Sequence, residues 1–344
     1  MPGLRLIRIC VLVAAAVIVT AGGTVVRAQQ ETGVRLALDR GIDGLAAPFL
    51  VALDKGYYKE AGLAVTVEPD AGVSESLSRV ASGEVQMGVA DINAVVRYRS
   101  GADPVDIKAI MMIQDLAPYA IVGRRSRGVA SVADLEGRSL AMTPTDLVFP
   151  LWPLVARAGG IDANRVALKS VGVALREEML VQGEVDAVLG TVLASVVILE
   201  QAGVPADDLS VILLSGNGLE LYGDAVIVNP DFAKEKPEAV RAFVKATIRG
   251  MRDTIADPAA GIESVLWRNY DTRRSEEVPR VSLVIDEVID TGWVRENGFG
   301  GVDMDRLGRS IEQLAFAYGF GDAVKAEDVF TDAFLPPKDE RMLR

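Results

Sequence analysis

A pattern that occurs twice, one hundred positions apart, most constrains what this chain can fold into. Residues 71–96 read AGVSESLSRVASGEVQMGVADINAVV, and residues 171–197 read VGVALREEMLVQGEVDAVLGTVLASVV. Each copy contains a glycine loop, an amphipathic helix, a Gly-Glu-Val turn (83–85 and 183–185), a short apolar strand and a second helix. One unit used twice predicts two similar lobes, and two lobes predict a cleft between them.

The rest of the chain alternates apolar strands with helical patterns. Its 344 residues exceed what a single core usually accommodates, so two domains are expected. Strands that alternate with helices indicate βαβ units with mainly parallel pairing, and therefore an α/β class. After Pro230 the pattern becomes almost wholly helical, with apolar residues at three- and four-residue spacing. The predicted helices there are 237–256, 259–270, 276–289 and 305–317.

Composition removes several functional classes. The sequence contains no histidine, which excludes histidine metal sites, catalytic triads and imidazole acid–base chemistry. Lys and Arg number 36 against 48 Asp and Glu, and this acidic balance does not suit nucleic-acid binding. The single cysteine, Cys10, lies in a segment that we expect to be removed, so it supplies neither a disulfide nor a nucleophile. We expect a protein that is not an enzyme, with no catalytic residues, cofactor or metal.

The first residues carry the pattern of a secretory signal peptide. Arg5 and Arg8 precede an apolar run at 9–21, and Val-Arg-Ala at 26–28 is a small-residue cleavage site. A helix of about 13 residues is about 20 Å long, whereas the hydrocarbon core of a membrane is about 30 Å thick. We therefore expect cleavage of residues 1–28 and export to the periplasm of a mature chain that is not embedded in the membrane.

Candidate ligand-binding residues follow from the strand–helix order. In open α/β sheets, ligands bind at loops that leave the carboxyl ends of strands and enter helix N-termini. This rule, together with the places where the chain returns between lobes, selects a set of carboxylates, hydroxyls, one amide and aromatic rings. The candidates are Asp39, Asp43, Ser74, Asp91, Asn93, Tyr119, Asp146, Phe149, Trp152, Thr191, Tyr222 and Asp224.

The chemistry of these candidates favours a nitrogenous ligand. An oxyanion facing so many carboxylates would be repelled, and Arg40 is the only basic residue in the loops. Aromatic rings beside carboxylates suit a flat, nitrogen-rich heterocycle, and Trp152 between Pro150 and Pro153 is the best stacking platform. Two alternatives remain: the acids could serve as helix caps and the rings as core, and helix N-termini could still bind a sulfonate or carboxylate.

Seven segments in sequence order resemble one family across almost the whole mature chain. They are LALDRGIDGLAAPFLVALDKGYYKEAGLAVTVEPDAG, RVASGEVQMGVADINAV, DLEGRSLAM, LVQGEVDAVLG, LYGDAVIVNP, AFVKATIRGMRDTIADP and FTDAFLPP. The chain is similar to substrate-binding proteins of ABC importers in the nitrate/sulfonate/taurine and thiamine-pyrimidine-precursor group. The resemblance implies the type II periplasmic-binding-protein fold, with two α/β lobes, a central cleft and a two-strand hinge. It places lobe I at 29–119 plus 226–344, lobe II at 123–221, and the crossings near 119–123 and 222–228.

The resemblance also implies function and partners. A binding protein of this kind captures a small molecule, here expected to be pyrimidine-like, and delivers it to a membrane permease and, through it, to an ATPase. The alternatives are binding of a taurine-, alkylsulfonate- or nitrate-type anion, and an exported ligand-sensing subunit for a membrane receptor. Pyrimidine-synthesising enzymes in the group consume one of their own histidines and carry a pyridoxal-bound lysine, and a chain without histidine does not fit that activity.

Overall fold

Ten strands form two five-stranded sheets in the computed structural model, which describes residues 31–321 and 324–343. The predicted signal peptide, 1–28, lies outside the described residues. The strands are β1 (Thr32–Ala37), β2 (Leu63–Glu68), β3 (Met87–Asp91), β4 (Lys108–Met112), β5 (Tyr119–Arg124), β6 (Ser139–Met142), β7 (Ala167–Ser170), β8 (Ala187–Thr191), β9 (Leu209–Leu213) and β10 (Asp224–Val228). The first sheet has the order β2-β1-β3-β10-β4, and the second has the order β7-β6-β8-β5-β9.

Each sheet is mixed, because one of its strands arrives from the other sheet. In the first sheet β10 lies antiparallel between β3 and β4, and in the second sheet β5 lies antiparallel between β8 and β9. The remaining pairs are parallel. The prediction of mainly parallel pairing is therefore wrong. The chain passes between the sheets at 113–118 and at 214–223, and each inserted strand runs opposite to its neighbours.

Helices surround both sheets. They are α1 (Ala47–Asp54), α2 (Tyr57–Glu60), α3 (Val73–Ala81), α4 (Ile92–Arg99), α5 (Trp152–Ala158), α6 (Val173–Gln182), α7 (Val192–Gln201), α8 (Pro230–Glu235), α9 (Pro237–Ala256), α10 (Pro258–Leu266), α11 (Arg274–Val284), α12 (Gly292–Asn297), α13 (Met304–Tyr318) and α14 (Ala326–Val329). A π-helical turn, Ile285–Ile289, directly follows α11. Among the described residues, no helix combines the length and apolar composition needed to cross a bilayer.

The two repeat copies occupy equivalent places in the two sheets. The first copy forms α3, β3 and α4, and the second forms α6, β8 and α7. Gly83 and Gly183 have φ angles of +74° and +80°, a left-handed conformation that glycine adopts without a steric penalty. Val85 and Val185, which follow two residues later, are both buried. The shared Gly-Glu-Val turn thus directs each copy from its first helix into its strand.

The long helix α9 packs against α1 at close range. Its buried residues recur at three- and four-residue spacing, as an amphipathic helix on a core requires. A Cβ atom at Gly250 would lie 2.1 Å from the carbonyl oxygen of Pro48, so only glycine allows this approach. Beside it, the rings of Tyr58 and Phe243 stack with centroids 5.1 Å apart. Both α1 and α9 also contact β2, so this packing supports the first sheet.

Contacts across the cleft involve α11 and α13. Leu193, at the start of α7, is buried in the apolar cluster that contains Val281 and Val284 of α11. In return, Leu283 of α11 packs against the cluster formed by the second sheet and its helices. From α13, the Tyr318 hydroxyl donates to the carbonyl oxygen of Leu147 at 2.7 Å. The C-terminal helices therefore touch elements of both sheets, and the lobe boundaries drawn from the sequence stay a prediction.

Candidate functional site

The carboxyl ends of β3 and β8 carry Asp91 and Thr191, which stand at equivalent positions of the repeat. The carboxylate of Asp91 accepts from the backbone N–H of Asn93 at 2.8 Å, and the Thr191 hydroxyl accepts from that of Ala194 at 3.4 Å. A side-chain oxygen at this position satisfies an exposed N–H group in the first turn of a helix. The repeat thus places two capping side chains at the same end of the two sheets, where both line one cavity.

The cavity consists of two adjoining chambers. The inner chamber has a volume of about 340 Å³ and the outer chamber about 740 Å³. Both volumes lie within the range of small-molecule sites, about 300–1,000 Å³. The chambers share Val73, Asp91, Tyr119, Thr191 and Ala194. Because these residues come from elements of both sheets, the cavity is a cleft between the sheets.

The inserted strands begin at the cleft. Asp224, the first residue of β10, pairs with Asp91 across the ladder, and Tyr119, the first residue of β5, pairs with Thr191. The Tyr119 hydroxyl donates to the Asp91 carboxylate at 2.5 Å, which links the second sheet to the first. Burial raises the pKa of the Asp91 carboxyl, although the Tyr119 hydrogen bond opposes the shift. Burial and the Asp91 charge raise the pKa of Tyr119, so its hydroxyl stays a donor.

Arg40 connects the other two inner carboxylates. Its guanidinium donates to Asp39 at 2.8 and 2.6 Å and to Asp224 at 2.7 Å. One positive charge cannot neutralise both carboxylates. Burial and, after it, the negative charge of Asp39 raise the pKa of Asp224, the positive charge of Arg40 opposes the shift, and the resulting pKa is about 8. The inner chamber is therefore a place where a ligand N–H donor is favoured.

The outer chamber contains a buried arginine that the repeat explains. Arg176 stands in the second copy where Ser76 stands in the first, and both donate at 2.8 Å to a carbonyl of the adjacent strand. Arg176 also donates to Glu177 at 2.9 Å and to Asp146, in the loop after β6, at 3.0 Å. A Cβ atom at Gly190 would lie 2.5 Å from Nη2 of Arg176, so this glycine provides the space for the guanidinium.

Seven of the twelve candidate residues line the two chambers. They are Asp39, Ser74, Asp91, Tyr119, Asp146, Thr191 and Asp224. Two polar candidates line neither chamber and support the loops instead. Asp43 accepts from the backbone N–H of Leu45 at 2.9 Å and caps a short 3-10 turn. Asn93 is fully buried, and its amide donates to Asp91 at 2.7 Å and to the carbonyl of Tyr222 at 2.6 Å.

The aromatic candidates, apart from Tyr119, do not line the cleft. Trp152 is only 3% exposed and belongs to the apolar core, so its interpretation as a stacking platform is wrong for this conformation. Phe149 is the first residue of the 3-10 turn Phe149–Leu151, and its partly buried ring packs against the same core. Tyr222 is fully buried, with the guanidinium of Arg306 3.9 Å from its ring centre.

Among the described residues, four arginines line the chambers, and three of them were not predicted from the sequence. Arg176 and Arg97 line the outer chamber, and Arg280 lines the inner chamber. The repeat could have indicated Arg176, because this charged residue stands where the first copy has a serine on the buried face of the helix. Nothing comparable indicates Arg280, since only tertiary packing brings α11 to the loops that follow the strands.

Comparison with known proteins identifies one family and several relatives. The family model described as NMT1/THI5 like matches residues 45–261. The chain is 27% identical over 299 residues to the riboflavin-binding protein RibY of Chloroflexus aurantiacus, covering 84% of this chain and 82% of that protein. It is 25% identical over 284 residues to the formylaminopyrimidine-binding protein of Halalkalibacterium halodurans, covering 82% of this chain and 84% of that protein.

A third relative is named as an enzyme. It is the 4-amino-5-hydroxymethyl-2-methylpyrimidine phosphate synthase of Legionella pneumophila, 24% identical over 316 residues, or 89% of this chain and 93% of that protein. Relatives of this chain therefore include both binding proteins and a synthase.

The solved structures identify the fold, and the family model identifies the family. A putative periplasmic sulfonate-binding protein, SsuA of Methylobacillus flagellatus, superimposes with a TM-score of 0.66 at 18% identity, covering 89% of this chain and 93% of that one. The predicted fold, two α/β lobes with a central cleft, is confirmed. The family model covers more than half of the sequence, and the sequence motifs had indicated the same group. The chain belongs to the NMT1/THI5-like family.

Proposed function

We propose that this protein is the solute-binding component of an ABC importer, which captures a small nitrogenous heterocycle in the cleft and delivers it to a membrane permease. Two relatives are named as binding proteins for riboflavin and for formylaminopyrimidine. Both ligands contain nitrogen heterocycles. The proposed site is the pair of chambers, and the proposed ligand-binding residues are the seven candidates that line them.

The arrangement of the inner carboxylates carries this proposal. Asp39, Asp91 and Asp224 line one chamber, and Arg40 contributes a single compensating charge to two of them. Carboxylates accept hydrogen bonds, and ring or amino N–H groups of a heterocycle are suitable donors. A small inorganic anion would lie beside these carboxyl groups, and the two arginines that line the chamber are already paired, Arg40 with Asp39 and Asp224 and Arg280 with Glu277.

The proposed mechanism contains no covalent step. Ligand binds to the loops of one sheet, the molecule closes about the two crossings, and the loops of the other sheet exclude water. Differential affinity for the closed state drives the population shift. The sequence lacks histidine, the residue on which the synthase chemistry of the resembling enzymes depends, so we propose binding without catalysis. Under this proposal, residues 29–119 plus 226–344 and residues 123–221 act as the two lobes, and the signal peptide directs the chain to the periplasm.

An anion is the second candidate ligand. Arg176 lines the outer chamber with a guanidinium that is already bonded to Glu177 and Asp146. An anionic ligand that displaced Asp146 would gain a charge-assisted hydrogen bond from Arg176. This candidate requires the loop after β6 to give up the hydrogen bond between Asp146 and Arg176, whereas the inner carboxylates already line their chamber.

A ligand panel separates the two candidates. The mature protein is titrated by calorimetry, after a thermal-shift screen, with an aminopyrimidine, formylaminopyrimidine, riboflavin, taurine and nitrate. We expect saturable one-to-one binding of at least one heterocycle and no response to taurine or nitrate. Binding of taurine or nitrate, with no response to any heterocycle, would overturn the proposal and favour the anion candidate.

A further inference from the structure

The inner chamber is lined by two arginines that differ in how many hydrogen bonds they already donate. The Arg40 guanidinium already donates to Asp39 and Asp224. Arg280, which enters from α11, lines the same chamber and donates to Oε1 of Glu277 at 2.5 Å. In the described part of the chain, Glu277 is the only hydrogen-bond partner of Arg280. Arg280 is therefore the arginine of this chamber with N–H groups that are still free to donate.

The unused donors of Arg280 include a buried one. A guanidinium has five N–H groups in a fixed plane and no acceptor. Its Nε is buried and has no hydrogen-bond partner among the described residues. A buried donor without an acceptor is unfavourable, because it has lost its water and gained nothing in return. The side chain is also 25% exposed, so part of it remains accessible from the cleft.

Arg280 is held in a fixed position by its partner. The Glu277 carboxylate, which is buried, accepts from the Gly44 backbone N–H at 2.7 Å through Oε2. This bond fixes α11 to the loop that carries Asp39 and Arg40. A Cβ atom at Gly44 would lie 2.5 Å from Oε2 and 2.4 Å from Val281, so loop and helix meet without spare room. Such a preorganised donor loses little freedom when a ligand binds.

We propose that Arg280 determines specificity by donating to a hydrogen-bond acceptor of the ligand, a carbonyl oxygen, while the inner carboxylates accept its N–H groups. This inference rests on the proposed function and narrows the ligand class. The chamber presents acceptors on Asp39, Asp91 and Asp224 and free donors on Arg280. A heterocycle that carries both N–H groups and a carbonyl, as a ring lactam or a formamide does, satisfies both sides. An aminopyrimidine without a carbonyl leaves the free donors of Arg280 without an acceptor, and only the bond to Glu277 remains.

The test compares two probes on three proteins, the wild type and two variants. The probes are formylaminopyrimidine, which carries a formyl carbonyl, and a methyl-substituted aminopyrimidine that keeps the ring and lacks the formyl group. Calorimetry measures both on the wild type, on Arg280→Met, which removes every donor, and on Arg273→Met. Arg273 lies at the start of the same helix, is 76% exposed and pairs only with Glu276 among the described residues. It serves as the matched control.

We expect Arg280→Met to bind formylaminopyrimidine about 10- to 100-fold more weakly, the size expected for a hydrogen bond from a charged donor. Its affinity for the methyl-substituted probe should stay within about twofold of the wild type, and Arg273→Met should match the wild type for both probes. If Arg280→Met does not fold, Arg280→Lys replaces it. Lysine keeps the charge with a different donor geometry, so a smaller loss confined to the carbonyl probe is expected.

The possible failures are distinguishable. Equal affinity of Arg280→Met and wild type for formylaminopyrimidine would overturn the role of Arg280 and leave the proposed function intact. A wild type that binds neither probe nor riboflavin would overturn the proposed function and this inference with it. A loss of the same size for both probes would show that Arg280 supports the site as a whole without reading the carbonyl.

Discussion

At the level of single residues, the inner chamber has more carboxyl groups than Arg40 can neutralise. Asp91 and Asp224 face each other across the antiparallel pair of β3 and β10, and Asp39 lines the same chamber. Arg40 is bonded to two of these carboxylates and cannot neutralise both. Such mismatched titratable groups in a cleft are a property of functional sites. The same mismatch gives the protein a stability that depends on pH.

The first prediction concerns Asp224→Asn. Burial raises the pKa of Asp224 to about 8, above about 3.9 for an unfolded aspartate. The folded state therefore holds a proton that the unfolded state has released. The stabilisation is fully present below about pH 4 and is lost as the pH rises through about 8. We expect the Tm of the wild type to fall between about pH 6 and pH 9, and the Tm of Asp224→Asn to change less over this window.

The measurement is calorimetric unfolding of both proteins across that pH range, with Asp271→Asn as the control. Asp271 is exposed, so its substitution should leave the wild-type profile unchanged. Parallel profiles for the wild type and Asp224→Asn would show that Asp224 does not titrate in this window.

At the level of elements, the two repeat copies show how one framework was adapted. Ser76 and Arg176 donate to equivalent carbonyl oxygens, those of Val89 and Leu189. The local role of the helix position is thus conserved between the copies while the side chain differs. Arg176 reaches further, to Glu177 and to the cleft loop, and so turns a structural position into part of the cleft.

The second prediction concerns Gly190→Ala, at the end of β8. The new Cβ atom would lie 2.5 Å from Nη2 of Arg176 and 2.9 Å from Oγ of Ser195. Arg176 would have to move away from the buried Glu177 carboxylate, which would keep the hydrogen bond from Ser195 but lose its charged partner, at a cost of about 3–5 kcal/mol. Urea unfolding should show a loss of this order.

Gly172→Ala is the matched control for this change. Gly172 precedes α6 in the same repeat copy, has a negative φ angle and has no atom within 4 Å of an added Cβ. Its substitution should change the unfolding free energy by less than about 1 kcal/mol. If both substitutions changed the unfolding free energy equally, the lack of a side chain at Gly190 would not be needed to accommodate Arg176.

At the level of the whole molecule, the repeat was enough to predict two similar halves with a cleft. It places Asp91 and Thr191 at equivalent helix starts, where the structure has both side chains as caps, and their role in ligand binding stays a prediction. The exchange of β5 and β10 between sheets could not be predicted from strand patterns, since an apolar strand reads the same in either direction. Trp152 was misplaced for a related reason: a large aromatic ring near a helix start is compatible with either a core or a cleft.

Contacts between residues far apart in the chain could not be predicted from the sequence either. Arg280 lies more than one hundred and eighty residues from Asp91, and nothing in its local pattern indicates a cleft. The same holds for Leu193 and Leu283, which each pack into the apolar cluster of the opposite side. This exchange spans the cleft, so opening the molecule would expose both leucines to water.

The third prediction is that Leu193→Ala shifts the ligand-free protein toward an open state. Burying a leucine side chain stabilises by about 1.5–3 kcal/mol, and a change of about 2 kcal/mol alters an open-to-closed ratio roughly 30-fold.

The measurement is the distance between two spin labels on the edge strands β2 and β7, attached at Thr66→Cys and Leu168→Cys. The only cysteine of the chain is Cys10, in the predicted signal peptide, so the mature protein carries no other label. Pulsed electron paramagnetic resonance should show a longer distance between the labels in Leu193→Ala and in Leu283→Ala than in the wild type. Added ligand should return this distance toward the wild-type value. Leu175→Ala, at a residue that is 55% exposed, should leave the distances unchanged. Identical distance distributions in the wild type and both cleft variants would show that the leucine exchange does not hold the two sides together.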